Sequence, residues 1–366
     1  MAVPKFPSFF GVEEGKNSAI RLGKYVVADG LDRKKESLVR IQSHTHVDHL
    51  SNWKHHIKPD RKFVLSEASK EILMLEERHI KRRANIYTPK NGQELLLNID
   101  DKELKIKLYD AKHMIGSVQC TVEYSNGDLF GYSGDIGEDV DQIIKADYLV
   151  LDTAYTKFQQ GINRTWTRLD AFKKFLEIID ERSKVGPIHI YARTGMLQEA
   201  VQYIERFSEQ NFTYIATKEI IDLCNLFKTR GQTLPDHIED ISLFETKELS
   251  NLIYLRPYES KGNETLESTV IDISNFSAPN ETPEKIISKT DKNLNVQICI
   301  SNHVHGDLLK NYIEATEAKF IITDSSRSSF EKAINLSREI KSYLNIDSAA
   351  AHEIEYWKNS EETLYG

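Results

Sequence analysis

The chain has 366 residues, 40% of them hydrophobic and 28% charged, with a net charge of −8. This composition fits a globular protein with a sizeable core, excludes a disordered or fibrous one, and argues against a surface covered in nucleic-acid-binding charge. No apolar run approaches the roughly 20 residues of a bilayer span, and Met1-Ala2-Val3-Pro4-Lys5 lacks the sections of a signal peptide, so a cytoplasmic protein without membrane contact is expected.

In chain order, residues 25 to 151 read as short apolar strands at 25–28, 38–43, 63–66, 104–109, 118–124, 129–133 and 148–151. One helix interrupts them at 67–80, with Ser66 as its N-cap. After about Phe158 the rhythm becomes that of a parallel α/β unit: helix 167–182, strand 188–191, helix 197–207, strand 212–216 and helix 218–227. A polar exit loop at 259–264 precedes strands 270–273 and 296–300, helix 308–316, strand 319–323 and a last helical section from about Phe330. Local basic runs such as Lys81-Arg82-Arg83 and Lys173-Lys174 read as solvated helix faces when each is taken alone. Cys120, Cys224 and Cys299 are widely spaced and suit reduced thiols, which leaves His and Asp to bind any metal.

The segment Ser43-His44-Thr45-His46-Val47-Asp48-His49 places four metal-ligating side chains within six residues. Imidazole and carboxylate suit zinc, manganese or iron, and alternate side chains of a compact turn can face two ions. His55, His56, His79, His189, His237 and His352 read as ordinary core or surface residues.

That segment resembles the H-x-H-x-D-H signature of the metallo-β-lactamase superfamily, and Asp29, after strand 25–28, resembles its first structural Asp. The run Asp110-Ala111-Lys112-His113-Met114-Ile115-Gly116-Ser117-Val118 is similar to the A-G-H-x-x-G-S motif, and Tyr132-Ser133-Gly134-Asp135-Ile136 to Y-T/S-G-D. Leu151-Asp152-Thr153-Ala154-Tyr155 resembles the L-D-T-T-Y/F segment of the β-CASP branch, in particular the Artemis-related DNA cross-link repair nucleases and their prokaryotic exonuclease relatives. Gly195-Met196-Leu197-Gln198-Glu199 is similar to that branch's G-K/R-x-Q-E segment, with Met196 where a basic residue is usual, and Ser301-Asn302-His303 is similar to S-D/E-H.

The resemblance implies an α/β fold, the metallo-β-lactamase αββα sandwich, with an inserted β-CASP α/β domain. Residues 1–157 and 263–366 would form the metal domain and 158–262 the insertion, facing the metals across a cleft. It also implies two divalent ions, zinc by preference and manganese as the alternative. His44, His46, His113 and Asp135 would hold one ion; Asp48, His49, His303 and a bridging Asp135 would hold the other. Asp48 would orient the attacking water, and Asp152 either fixes a ligand histidine from behind or caps a turn. Arg193-Thr194-Gly195, between a strand and a helix, is either a phosphate-binding turn or an ordinary one, and Ser301 either contacts phosphate or caps a loop. Asp324 stands where RNA-processing relatives have a final histidine; it favours DNA as the partner and is itself able to approach a metal. The implied activity is a DNA exonuclease of repair or processing. The alternatives are an RNA-processing nuclease, a small-molecule metallohydrolase and a non-catalytic nucleic-acid-binding relative.

Overall fold

The computed structural model describes residues 9–33, 37–155, 158, 165–245, 250–261, 267–274 and 280–354. The chain divides into two compact units, Met1–Gln160 with His303–Gly366, and Gly161–Asn302.

The first unit opens with a sheet of β1 (Phe10–Val12), β2 (Ile20–Leu22), β3 (Val26–Ala28), β4 (Val39–Gln42), β5 (Lys62–Leu65) and β6 (Ile86–Tyr87), paired in that order, with α1 (Glu67–Glu76) between β5 and β6. A second sheet begins with β7 (Glu94–Ile99), β8 (Lys102–Asp110), β9 (Val118–Tyr124), β10 (Leu129–Tyr132) and β11 (Tyr148–Leu151). The second unit then supplies α2 (Arg168–Arg182), β12 (Ile188–Ala192), α3 (Met196–Phe207), β13 (Thr213–Ala216), α4 (Lys218–Thr229), β14 (Glu239–Asp240), β15 (Leu252–Pro257), β16 (Thr269–Ser274), β17 (Glu284–Lys289) and β18 (Leu294–Cys299). Its sheet runs β14-β13-β15-β12-β16-β18-β17, parallel except for the edge strand β17. On returning to the first unit, the chain adds α5 (Gly306–Thr316), β19 (Phe320–Thr323), α6 (Phe330–Glu339) and β20 (Asp347–Ala350), completing the second sheet as β20-β19-β11-β10-β9-β8-β7.

The layering of the first unit follows from strand alternation, because successive side chains point to opposite faces. In β11 and β19, Val150, Phe320 and Ile322 join a core shared with Ile20, Val26 and Ile41 of the first sheet, so the two sheets pack face to face. Their neighbours Leu149, Leu151 and Ile321 point the other way, under Leu309 and Ile313 of α5 and Leu336 of α6. In β5, Val64 faces the inter-sheet core while Phe63 and Leu65 pack with Leu73 of α1. The result is the four-layer αββα sandwich expected from the sequence, with an α/β unit inserted in the chain.

Several expectations need correction. The helix expected over 67–80 stops at Glu76: Glu77 leaves helical geometry at φ −130° and ψ 82°, and a 3-10 turn follows at Arg78–Arg82. The inserted unit begins and ends later than residues 158–262. Phe158 is buried in the core of the first unit, while β16 pairs directly with β12 and β18 with β16, so the second unit's sheet runs to Cys299. The expected boundary at Gly262 lies outside the described residues. Cys120, Cys224 and Cys299 are free and buried. Among the described residues, no helix is long and apolar enough to cross a membrane.

Candidate metal centre

The candidate ligands lie on loops that leave the carboxyl ends of strands. Asp29 follows β3, His44–His49 follow β4, His113 follows β8, Asp135 follows β10 and Asp152 follows β11. His303 follows β18 as the chain re-enters the first unit. Val118 N donates to Ser43 O (2.8 Å), tying the histidine loop of one sheet to a strand of the other. Gly134, at φ +56°, makes the close turn before Asp135, where a Cβ would sit 2.8 Å from Val118 O and 3.0 Å from Ser43 Cβ.

Donor atoms of His44, His46, His113 and Asp135 lie within 4.8 Å of one another, as do those of Asp135, Asp152 and His303, and those of Asp29, His44 and His49. His46 Nδ1 is 3.0 Å from His44 Nε2 and 3.4 Å from His113 Nε2. Asp135 Oδ2 is 3.6 Å from both His44 Nε2 and His113 Nε2. With bonds of about 2.0–2.1 Å, neighbouring donors around a tetrahedral ion stand about 3.3–3.4 Å apart, so this set fits one cation. The other Asp135 oxygen, Oδ1, is 3.3 Å from His49 Nε2, and Oδ2 is 3.9 Å from His303 Nε2. Asp135 thus stands between two histidine sets. The His/Asp clusters could bind metal ions. Asp48, half-buried in the same loop, falls in none of the three groups.

Behind the donors, hydrogen bonds fix which imidazole nitrogen faces inward. His49 Nδ1 is 2.7 Å from Asp29 Oδ2, and His303 Nδ1 is 2.9 Å from Asp152 Oδ2, so each Nδ1 carries a proton and each ring turns Nε2 toward Asp135. Ser43 Oγ donates to Asp29 Oδ2 (2.5 Å) and therefore accepts from His44 Nδ1 (2.9 Å), which orients His44 alike. Tyr132 OH also donates to Asp29 (3.0 Å), so one buried carboxylate sets two histidines.

Two further residues carry no sequence signal, because a charged side chain in a strand or loop ordinarily reads as exposed. Arg40 of β4 is fully buried and donates to the backbone carbonyls of Gly30 (2.8 Å), His49 (2.9 Å) and Ser51 (3.0 Å) and to Gln42 Oε1 (2.9 Å), clamping the histidine loop. Arg327 Nη1 donates to Asp324 Oδ2 (2.7 Å), whose Oδ1 accepts from Ser326 N (2.7 Å). Asp324, expected as a residue able to approach a metal, is therefore committed to an arginine and a backbone amide.

His44 and His113 have the charge state of a ligand, and His49 carries a proton that a cation would displace. Burial, then the neighbouring His49, pushes His44 well below the usual imidazole range, and burial with His303 does the same to His113, leaving both neutral. Burial alone would raise Asp135, but His49 and His44 hold it well below the carboxylate range. Burial opposes a charge on His49, yet Asp135 and Asp29 lift its pKa to about 10. A proton there balances carboxylate charge that a bound cation would also balance. Burial and the nearby Asp135 raise Asp152.

The remaining candidates lie in the second unit. Arg193 is exposed after β12, and Gly195, at φ +90°, is the N-cap of α3 with its N–H donated to Gln198 Oε1 (2.8 Å). Thr194 is half-buried between them. Ser301 is buried, and its carbonyl accepts from Arg168 Nε (2.8 Å), while Arg168 Nη2 bonds both Glu199 carboxylate oxygens at 2.8 Å. Arg168, a helix residue by its sequence position alone, joins the starts of α2 and α3 to Ser301 just before His303.

Among known proteins, no family model matches the chain. The uncharacterized protein in lig 3′region of Acidianus ambivalens is 32% identical over 105 residues, which span 28% of this chain and 72% of that protein. A solved protein of unknown function from Enterococcus faecalis V583 superposes with a TM-score of 0.52 at 10% identity, over 86% of this chain and 92% of that one, a likeness of fold alone. A mutant flavo di-iron protein from Thermotoga maritima aligns over 94% of this chain and 87% of its own at 13% identity, with a TM-score of 0.24, too low to bear on the fold.

Proposed function

We propose that this chain, which belongs to the same family as the Acidianus ambivalens protein, is a two-metal phosphodiesterase that cleaves nucleic acid, DNA in preference to RNA. The observation that carries the reading is the place of Asp135, with Oδ2 turned to His44 and His113 and Oδ1 turned to His49. One ion would rest on His44, His46, His113 and Asp135, the other on Asp135, His49, His303 and Asp48. Zinc suits the imidazole-rich set, and manganese is the alternative. Divalent cations held there would neutralise the phosphate and acidify an attacking water.

The chain's own residues prepare the site for this. Asp29 and Asp152 hold the protons on His49 Nδ1 and His303 Nδ1, so Nε2 is the atom that each ring would offer to a cation, which on His49 would replace a proton. Asp48, on the same loop as three of the histidines, orients the nucleophile. In the second unit, Arg193, Thr194, Gly195 and Ser301 would hold the substrate backbone. The choice of phosphodiester rests on the resemblance of segments 151–155 and 301–303 to β-CASP nucleases, and the choice of DNA on Asp324, which Arg327 engages where RNA-processing relatives carry a histidine.

The test is digestion of end-labelled single-stranded DNA, duplex DNA and RNA of matched sequence, with Zn²⁺, with Mn²⁺ and with chelator. Metal-dependent cleavage with DNA preferred is expected, together with a loss of about a hundredfold or more in Asp48→Asn at unchanged metal content. RNA cut as fast as DNA removes the preference; hydrolysis of none of them removes the nuclease reading.

A further inference from the structure

We propose that the surface at residues 78–83, with Lys58 beside it, docks the phosphodiester backbone of a nucleic-acid substrate some distance from the bond being cut; this rests on the phosphodiesterase reading. The structure treats the basic runs Lys173-Lys174 and Lys81-Arg82-Arg83 oppositely. Lys173 pairs with Asp170 at 3.6 Å, and Lys174 with Glu177 at 3.3 Å and Glu284 at 3.6 Å, so that run is neutralised. Arg78, Lys81, Arg82, Arg83 and Lys58 are exposed, and among the described residues none of them makes an ion pair. Elsewhere on the same unit, lysines are matched to acids, as Lys105 is to Glu123 (3.4 Å), Lys107 to Glu94 (3.2 Å) and Lys112 to Asp110 (3.1 Å). In a chain with more acids than bases, an uncompensated cationic segment repels itself and is relieved by a polyanion.

The segment is also held in place. Ile80, at its centre, is fully buried with Trp53, Ile57, Phe63 and Leu73, so the 3-10 turn is anchored while its charged neighbours point outward. Asn85 Nδ2 donates to Lys58 O (2.8 Å) and Arg61 O (3.0 Å), which brings Lys58 alongside. Glu77, next to Arg78 in the chain, has its carboxylate paired with Lys54 Nζ (3.3 Å).

Helix α1 sets the distance to the metal centre. At its start, Ser66 Oγ and Ser69 Oγ donate to Gly116 O at 2.7 and 2.9 Å, on the loop that carries His113. Its 10 residues span about 15 Å, and the cationic turn follows its last residue. At about 3.4 Å per nucleotide along a duplex strand, the turn lies about four or five nucleotides from the His113 loop. It would therefore contact backbone that the reaction leaves intact and favour a polymer over a short fragment.

The variant Arg78→Gln/Lys81→Gln/Arg82→Gln/Arg83→Gln tests this against the parent. The probes are a fluorescent DNA duplex of roughly 20 base pairs, a dinucleotide, and phosphatidylserine vesicles; binding is read by anisotropy across a salt series in an Asp48→Asn background. Expected are a salt slope shallower by about three to four, a loss of affinity of about tenfold or more at moderate salt, and dinucleotide cleavage and metal content within about twofold of the parent. A variant with the parent's salt slope overturns the proposal even if both proteins cleave DNA. A parent that binds vesicles but not the duplex also overturns it, in favour of a membrane surface. A parent that binds the duplex through these residues yet hydrolyses neither substrate leaves the docking surface standing and removes the phosphodiesterase reading instead.

Discussion

Asp29 has left-handed backbone geometry, φ +46°, at the end of β3, which aims its carboxylate at Ser43 and His49. Because that carboxylate settles the proton positions of His44 and His49, Asp29→Asn is expected to weaken metal affinity by about 10–100-fold while the ligands themselves remain. A chelator-competition titration reads the affinity, and an unchanged value would remove Asp29 from the positioning of the site. His56 provides a pH-dependent counterpart away from the metals. It is fully buried, with Nε2 3.1 Å from Ser37 Oγ and 3.7 Å from Asp32 Oδ2, and burial pushes its pKa down to about 4 despite Asp32. The unfolded chain takes up this proton below about 6.5. The stability due to a neutral His56 is thus complete above about pH 6.5 and is lost as the pH falls from there to about 4, a change of about 3 kcal/mol. His56→Gln should flatten stability against pH within that window; equal slopes in the two proteins would mean that another group is responsible.

Among the elements, the clearest case is β4, where Arg40 turns a strand end into a clamp on the histidine loop. Burial lowers its pKa to about 10, with Asp29 opposing, and its guanidinium satisfies three loop carbonyls. Arg40→Met takes the donor from the carbonyls of Gly30 and Ser51, while His49 O keeps Gly30 N (2.9 Å) and Gln42 Nε2 (3.2 Å), and is expected to cost about 2–5 kcal/mol in urea denaturation, with weaker metal retention. A change below about 1 kcal/mol would mean that the loop holds itself. The same strand shows how far the sequence could be read. Strand 38–43 was legible from its apolar residues, and the ligand cluster beyond it from its density of donors. Arg40 was not, because its partners at 30, 49 and 51 are brought to it only by the fold. β1 and β2 were missed for a related reason: Arg21 in β2 is buried between Glu13 (2.7 Å) and Asp32 (2.8 Å), a polar grouping that hides a core strand. β15 was missed although it sits beside β12 in the second unit's sheet, its short run Leu252–Pro257 being interrupted by Arg256 and closed by Pro257. The helix over 67–80 was too long because Leu75 and Ile80 kept the apolar spacing past the break at Glu77.

For the whole molecule, the sequence foretold a second α/β unit but misplaced its end, since β16 and β18 are parallel strands whose membership of one sheet or the other depends on pairing that no local pattern specifies. The acidic balance also changes meaning at this scale. Asp29, Asp135 and Asp152 converge in one unit with five histidines, and two divalent cations would set four positive charges against the net −8. The central claim is that Asp135 stands between two such ions. Its most direct measurement is anomalous scattering from crystals of chelator-free protein supplied with zinc or manganese, with metal content determined on the same preparation. Two peaks per chain flanking Asp135, one against His44, His46 and His113 and the other against His49 and His303, are expected; an absence of metal at these side chains would contradict the account.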